Sequence, residues 1–215
     1  MFFMDQSIQN KEFTFLTKGL RAIFTFIMVF TIFGVVFVGG LLVGAIVVPE
    51  QTVNSILVKG TVSASINFEA MEIELADKVA ENIQYVKKDV VKLLFAATIY
   101  MGILLFIVVQ VRKLLGSLSS GVIFTIANSK KIEWIAYSIL LLSLTVGVFS
   151  TYISYTIGHL TNFDTLLLST DWVAGVNYQF SGINWTLLFT GLIIWTIARV
   201  FRYGAFLQDE YDATV

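Results

Sequence analysis

Four long apolar runs, separated by charged stretches, dominate the hydropathy pattern of this 215-residue chain. They lie at Ala22–Val48, Leu93–Val111, Trp134–Ile157 and Trp185–Val200. A helix of about 20 apolar residues crosses a bilayer. The fourth run carries a cation near its end, where a long side chain reaches the membrane surface. The pattern therefore predicts a membrane α-helical fold with four transmembrane helices.

Two segments between these runs alternate polar and apolar residues with the period of a β-strand. The first alternates from Val62 to Ala70 and changes phase at Met71, which indicates a bulge or a bend. The second alternates from Val176 to Phe180. Because an isolated hairpin is marginal in water, we expect both segments to combine. The prediction is a small extracytoplasmic β-rich cap formed by the two external segments.

The chain is treated as a single polytopic membrane domain, 1–215. Its predicted segments are a first span at 22–48, an external strand-rich segment at 49–89, a second span at 90–111, an inner loop at 112–131, a third span at 132–157, an external segment at 158–184, a fourth span at 185–202 and a cytoplasmic tail at 203–215. Residues 1–20 are open between a surface-lying amphipathic helix and a disordered tail. The inner loop is expected to lie along the membrane surface, and Thr125 with Asn128 indicates a helix start at its end.

Gly40 and Gly44 in the first span have the spacing at which small residues let helix backbones approach closely. Tight packing inside the molecule is one interpretation, and a contact in a homo-oligomer is the other. Pro49 follows and ends the span.

Composition supports a membrane location and argues against an enzyme. Hydrophobic residues make up 57% of the chain and charged residues 13%, beyond what one soluble core of this size buries. Cysteine is absent, and His159 is the only histidine, so we expect no metal, cofactor or catalytic site. The net charge of −1 gives no reason to expect direct nucleic-acid binding.

Lys and Arg are unevenly distributed between the two predicted sides of the bilayer. With both termini inside, the inner side holds Lys11, Lys18, Arg21, Arg112, Lys113, Lys130, Lys131, Arg199 and Arg202, and the outer side holds Lys59, Lys78, Lys87, Lys88 and Lys92. Cytoplasmic loops are enriched in these residues, so we expect a multi-pass protein of the cell membrane with both termini cytoplasmic.

Two separated motifs resemble those of a bacterial membrane family known as domain of unknown function 2975. The inner-loop motif comprises Gly121, Phe124, Thr125, Asn128 and Lys131. The tail motif comprises Gly204, Leu207, Gln208, Glu210, Asp212, Thr214 and Val215. The four-span layout is similar as well, whereas the external segments match only in being strand-rich.

The resemblance implies a regulatory membrane protein, because members of that family are often encoded beside a small helix-turn-helix regulator. The acidic tail could pair with basic residues of the inner loop, or face outwards and bind a basic partner. We expect a signal-relaying protein whose partner-binding residues are Leu207, Gln208, Glu210, Asp212, Thr125 and Asn128. The alternative is a passive transporter or a peptide-toxin immunity protein, motivated by the hydroxyl-rich third span.

Overall fold

Five helices and one β-hairpin make up the computed structural model, which describes residues 2–52, 65–68, 71–74, 86–160, 163–169, 174–180 and 182–214. In chain order the elements are α1 (Phe2–Val47), β1 (Ser65–Phe68), β2 (Met71–Glu74), α2 (Lys87–Ser119), α3 (Ile126–Leu160), α4 (Phe163–Leu168) and α5 (Trp185–Thr214). Helices α1, α2, α3 and α5 are each long and apolar enough to cross a membrane. Four spanning helices were predicted at these places, and that prediction is confirmed.

Helix α1 is much longer than the predicted first span. It begins at Phe2, so residues 2–20 form neither a separate surface helix nor an irregular tail. Nothing before Pro49 breaks the helix, and a lone Gly19 costs only about 1 kcal/mol against alanine. The Val48 amide closes the last turn by donating to the Gly44 carbonyl at 2.9 Å.

The glycine pair of α1 has no neighbouring helix packed against it within the described part of the chain. A Cβ placed at Gly40 or Gly44 meets nothing within 4 Å. The glycine that does face a neighbour is Gly34, whose Cβ position lies 3.9 Å from the Met101 side chain of α2. The predicted packing of the pair inside the molecule is therefore not seen, and its role in a contact between two copies stays a prediction.

The chain divides into two compact units. The first unit comprises residues 1–36, 99–146 and 183–215, and the second comprises residues 37–98 and 147–182. Within the first unit α3 supplies most of the buried side chains. They lie three and four positions apart on one helical face, and comprise Asn128, Ser129, Ile132, Ile135, Ala136 and Ser143.

Helix α5 packs in the first unit through small residues. Gly191, Ala198 and Ala205 are all buried and lie seven positions apart, so they share one face over four turns. Small side chains let helix backbones approach closely in a membrane. At its start, Asn184 Oδ1 accepts the Leu187 amide at 3.0 Å, which caps the helix.

The predicted inner loop at 112–131 is mostly helical. Helix α2 continues to Ser119 and α3 begins at Ile126, so residues 120–125 alone connect them. The segment is therefore helical over most of its length, and its location along the membrane surface stays a prediction. The reason is local: residues 112–119 include no proline and keep an uninterrupted helical backbone, and the first residue that demands another conformation is Gly121.

In the second unit β1 and β2 form an antiparallel hairpin in which Ile66 pairs with Ile73 and Phe68 with Met71. The predicted phase change at Met71 is the point at which the chain reverses direction. The rest of the predicted external strand-rich segment, residues 53–64, 69–70 and 75–85, lies outside the described residues.

The β-rich cap built from both external segments is not supported. The described part of the second segment holds the short helix α4, and residues 175–180 form no strand. Instead of a partner strand, the Gln179 carbonyl accepts a hydrogen bond from the Thr151 hydroxyl of α3 at 3.2 Å. Val176 and Tyr178 are half-buried, whereas the residues beside them are exposed. Alternating polarity here reflects a segment that lies against a helix rather than a strand.

Candidate functional site

The connection between α2 and α3 is a tight turn fixed by backbone hydrogen bonds. The Gly121 amide donates to the Leu118 carbonyl and the Val122 amide to the Ser117 carbonyl, both at 3.1 Å. This pair of bonds, with Gly121 at φ 80°, is a Schellman motif. The left-handed conformation favours glycine, which explains why the motif carries one here.

The start of α3 is closed by two polar side chains of the same motif. The Asn128 amide donates to the Thr125 hydroxyl at 3.2 Å, so Thr125 is the N-cap predicted from the sequence. The Asn128 side chain is 1% exposed, and its Nδ2 donates to the Val122 and Ile123 carbonyls at 2.9 and 3.0 Å. These bonds tie the turn to the helix that follows it.

Lys131 completes this hydrogen-bond network. Its Nζ donates to Asn128 Oδ1 at 2.9 Å and to Ser117 Oγ at 2.8 Å. The bond to Ser117 links α3 to the last turns of α2. The inner-loop motif is therefore a single structural unit, in which each polar side chain holds the next.

The tail motif meets the inner-loop motif at Gly204. A Cβ at this position would lie 2.7 Å from the Phe124 ring, which shows that the ring packs directly on the α5 backbone. The Phe124 ring also contacts the Phe201 ring, with centroids 5.3 Å apart. In the first turn of α3, Ser129 Oγ donates to the Ala198 carbonyl of α5 at 2.8 Å. Two motifs some 80 residues apart in sequence thus form one contact in space.

An acidic residue that the sequence analysis overlooked joins α3 to α5. Glu133 forms ion pairs with Arg202 at 3.1 Å and with Arg199 at 3.4 Å, and its side chain is 13% exposed. Arg199 also lies over the Trp195 ring, 4.8 Å from its centroid. The available signal was the pair of arginines three positions apart at the end of the fourth apolar run, opposite one carboxylate at the start of the third.

The structure separates the predicted partner-binding residues into two groups. Thr125 and Asn128 make internal hydrogen bonds in the turn. Leu207, Gln208 and Glu210 are exposed on α5, after the buried Ala205. Asp212 lies on the same helix, but its side chain falls outside the described residues.

Among the described side chains, Asp209 and Glu210 do not pair with the inner-loop cations. Across the described residues the ion pairs join Lys92 to Asp89 and the two α5 arginines to Glu133. Asp209 and Glu210 take part in none of these. The described residues also contain no group of three or more His, Asp or Glu side chains placed to hold a metal ion.

Comparison with known proteins gives a family and nothing closer. No curated protein matches the chain, and no solved structure matches it. The profile of the family described as "Protein of unknown function (DUF2975)" matches residues 70–215. That range covers α2, the turn, α3 and α5, and so includes both motifs and the contact between them. Since the match covers more than half of the chain's length, the chain belongs to the DUF2975 family.

Proposed function

We propose that this protein is a non-enzymatic regulatory protein of the cell membrane whose C-terminal helix binds a cytoplasmic partner. The partner is a basic, DNA-binding regulator of the small helix-turn-helix kind that the family resemblance implies. The protein holds this regulator at the membrane and releases it in response to a signal received on the other side.

The carrying observation is the exposed end of α5. Ala205 is 2% exposed and is the last buried residue among the described side chains of the helix, yet the helix continues for more than two further turns. Phe206, Leu207 and Tyr211 are exposed there at 54%, 46% and 71%. Helical apolar residues held clear of their own core, close to carboxylates, form a surface suited to a second protein.

Charge supports a basic partner. Asp209 and Glu210 are exposed, and neither forms an ion pair within the described residues. Of the two mechanisms left open by the sequence, an outward-facing acidic tail fits this arrangement better than a tail paired with the inner loop. Complementary charge speeds association and selects the partner.

The proposed orientation, with both termini cytoplasmic, rests on the distribution of Lys and Arg. Lys87, Lys88 and Lys92, beside the second span, lie on the outer side in this orientation and so oppose it. Two of them have local partners. Lys87 Nζ donates to the Ile46 carbonyl at 2.5 Å and to the Val48 carbonyl at 3.3 Å, at the end of α1. Lys92 lies 3.8 Å from Asp89. Both lysines therefore have local partners that stabilise their charge on either side of the membrane.

The test is a crosslinked pull-down from native membranes with Glu210→Lys and Asp212→Lys combined. Reversing two charges in a complementary interface should weaken capture of the regulator by roughly tenfold or more. The matched control is Asp5→Lys with Glu12→Lys, which makes the same charge change at the other terminus. If both variants capture the regulator equally strongly, the acidic-tail mechanism is wrong.

The alternative, passive transport or toxin protection, was motivated by hydroxyls in the third span. Ser138, Thr145 and Thr151 donate to carbonyls of their own helix at 2.8–2.9 Å. Such bonds satisfy a hydroxyl in lipid without any pore. Solute flux through the purified protein in liposomes remains the measurement that would favour this alternative.

A further inference from the structure

Three cations from three different helices converge beside Gly116 and Ser117 of α2. The Arg21 guanidinium of α1 lies 3.5 Å from the Cβ position of Gly116. Lys131 of α3 donates to Ser117 Oγ at 2.8 Å. Lys113 lies one turn before Ser117 on α2, and its carbonyl accepts a hydrogen bond from Ser117 Oγ at 3.4 Å. We call Arg21, Lys113 and Lys131 the basic junction.

The described residues offer the basic junction no counter-charge. Both acceptors of Lys131 are neutral, the Ser117 hydroxyl and the Asn128 amide oxygen. None of the ion pairs among the described residues involves Arg21, Lys113 or Lys131. An ammonium has three donors and a guanidinium five, so the basic junction has donor capacity to spare. Like charges held together in this way are stabilised by a bound anion.

The depth of the basic junction in the fold indicates what kind of anion it meets. Arg21 directly precedes the first uncharged run, Lys113 follows the second, and Lys131 precedes the third. All three cations therefore lie where the apolar part of a spanning helix gives way to polar sequence. In a bilayer that is the level of the lipid headgroups.

We propose that the basic junction binds a phosphate group, supplied by an anionic phospholipid headgroup. A guanidinium matches two phosphate oxygens at once, and lysine adds a point charge. Basic pockets between transmembrane helices are suited to such headgroups. Glycine at position 116 matters because a larger side chain would occupy the place of the Arg21 guanidinium. This proposal is independent of the tail and of its partner.

The experiment titrates the purified full-length protein in detergent with phosphatidylglycerol and with phosphatidylcholine, and counts bound lipids by native mass spectrometry. Wild type should prefer phosphatidylglycerol. Arg21→Gln with Lys113→Gln should weaken that binding by roughly tenfold or more, since charged hydrogen bonds to phosphate are lost. Both side chains are exposed, so the variant should keep its fold. Gly116→Leu should give a similar loss with every charge retained.

Lys130→Gln is the matched control, because Lys130 is exposed and adjacent in sequence but lies outside the basic junction. It should bind phosphatidylglycerol as wild type does. A loss in Lys130→Gln as large as in the double variant would overturn the proposal, because simple surface charge would explain it. So would equal binding of both lipids by wild type.

Inorganic phosphate, added as a competitor, identifies the source of the phosphate. Displacement of phosphatidylglycerol by phosphate at about the lipid's own concentration means that the basic junction takes the free anion as well. No displacement means that the acyl chains and the headgroup together define the ligand. Both results support a phosphate site, whereas binding that is unchanged in Arg21→Gln with Lys113→Gln contradicts it.

Discussion

At the residue scale, Asn128 shows how a polar side chain becomes part of a membrane protein's interior. Its amide is 1% exposed, and a buried amide is costly unless it is hydrogen-bonded. Here both of its polar atoms are used: Nδ2 serves two carbonyls and Oδ1 accepts Lys131. No apolar residue of similar size can make these bonds, so the position requires a side chain that both donates and accepts.

Replacing Asn128 by alanine should lower the free energy of unfolding by about 1–3 kcal/mol, because two carbonyls and one ammonium lose their partner. Thermal unfolding in detergent measures the change. Asn177→Ala is the control, since Asn177 is exposed and its loss should matter by less than about 0.5 kcal/mol. Equal effects of the two substitutions would show that the turn does not depend on Asn128.

At Gly191 of α5, the addition of a single carbon atom would disturb the packing against α3. A Cβ there would lie 2.8 Å from the Leu140 side chain and 3.3 Å from the Leu140 backbone nitrogen, so the neighbour cannot move away freely. Gly191→Ala should therefore destabilise the protein by about 1–3 kcal/mol.

The contrasting substitution is Gly102→Ala, because its Cβ would meet nothing within 4 Å. With no clash, only helix propensity acts, and stability should rise by up to about 1 kcal/mol. Thermal unfolding in detergent compares the two variants. A Gly191→Ala protein as stable as Gly102→Ala would refute the close packing of α3 and α5.

At the element scale, α3 and α5 are joined by side chains of several kinds. Small residues on α5 permit close approach, and the Ser129 hydroxyl bonds the Ala198 carbonyl across the interface. Near the inner-loop turn, Glu133 holds Arg199 and Arg202. The helices are thus joined by packing along their length and by charge at the end that leads into the exposed tail.

A double-mutant cycle on Glu133 and Arg202 tests the charged contact. Glu133→Gln and Arg202→Gln should each destabilise by about 1–2 kcal/mol, less than for a fully buried pair, because Arg202 is 41% exposed. The double variant should lose less than the sum of the two, and the difference is the coupling energy. Strict additivity in the unfolding assay would mean that the two charges do not interact.

At the scale of the whole molecule, the described residues contain four candidate spans. An even number of spans predicts that α1 begins and α5 ends on the same side of the membrane. The turn at residues 120–125 belongs to the same unit as both termini, whereas the hairpin and residues 174–180 belong to the second unit.

Because the chain has no cysteine, its topology can be mapped with single introduced thiols. Ser120→Cys and Gln208→Cys should react with a membrane-impermeant maleimide only after cells are permeabilised, since the excess of Lys and Arg places them inside. Asn177→Cys should react in intact cells. The three positions are exposed, so burial would not explain a missing signal. Labelling in the reverse order would place both termini outside.

The sequence alone determined the number of spanning helices, because crossing a bilayer demands long uncharged runs that no other structure needs. It also determined the N-cap at Thr125, because capping depends on residues three positions apart. The Schellman turn at Gly121 is local too, although it was not recognised. By contrast, alternating polarity near Val176 predicted a strand wrongly, because a segment lying against α3 shows the same pattern.

Only the tertiary structure decided which distant residues meet. Phe124 packs on Gly204, Glu133 holds two arginines of α5, and the Arg21 guanidinium of α1 lies against Gly116 of α2. Such contacts depend on how helices are rotated and shifted against each other, and a hydropathy pattern in lipid carries little of that information. The apolar face of each helix can face either lipid or protein, so close packing and hydrogen bonds, not hydrophobicity, choose the partners.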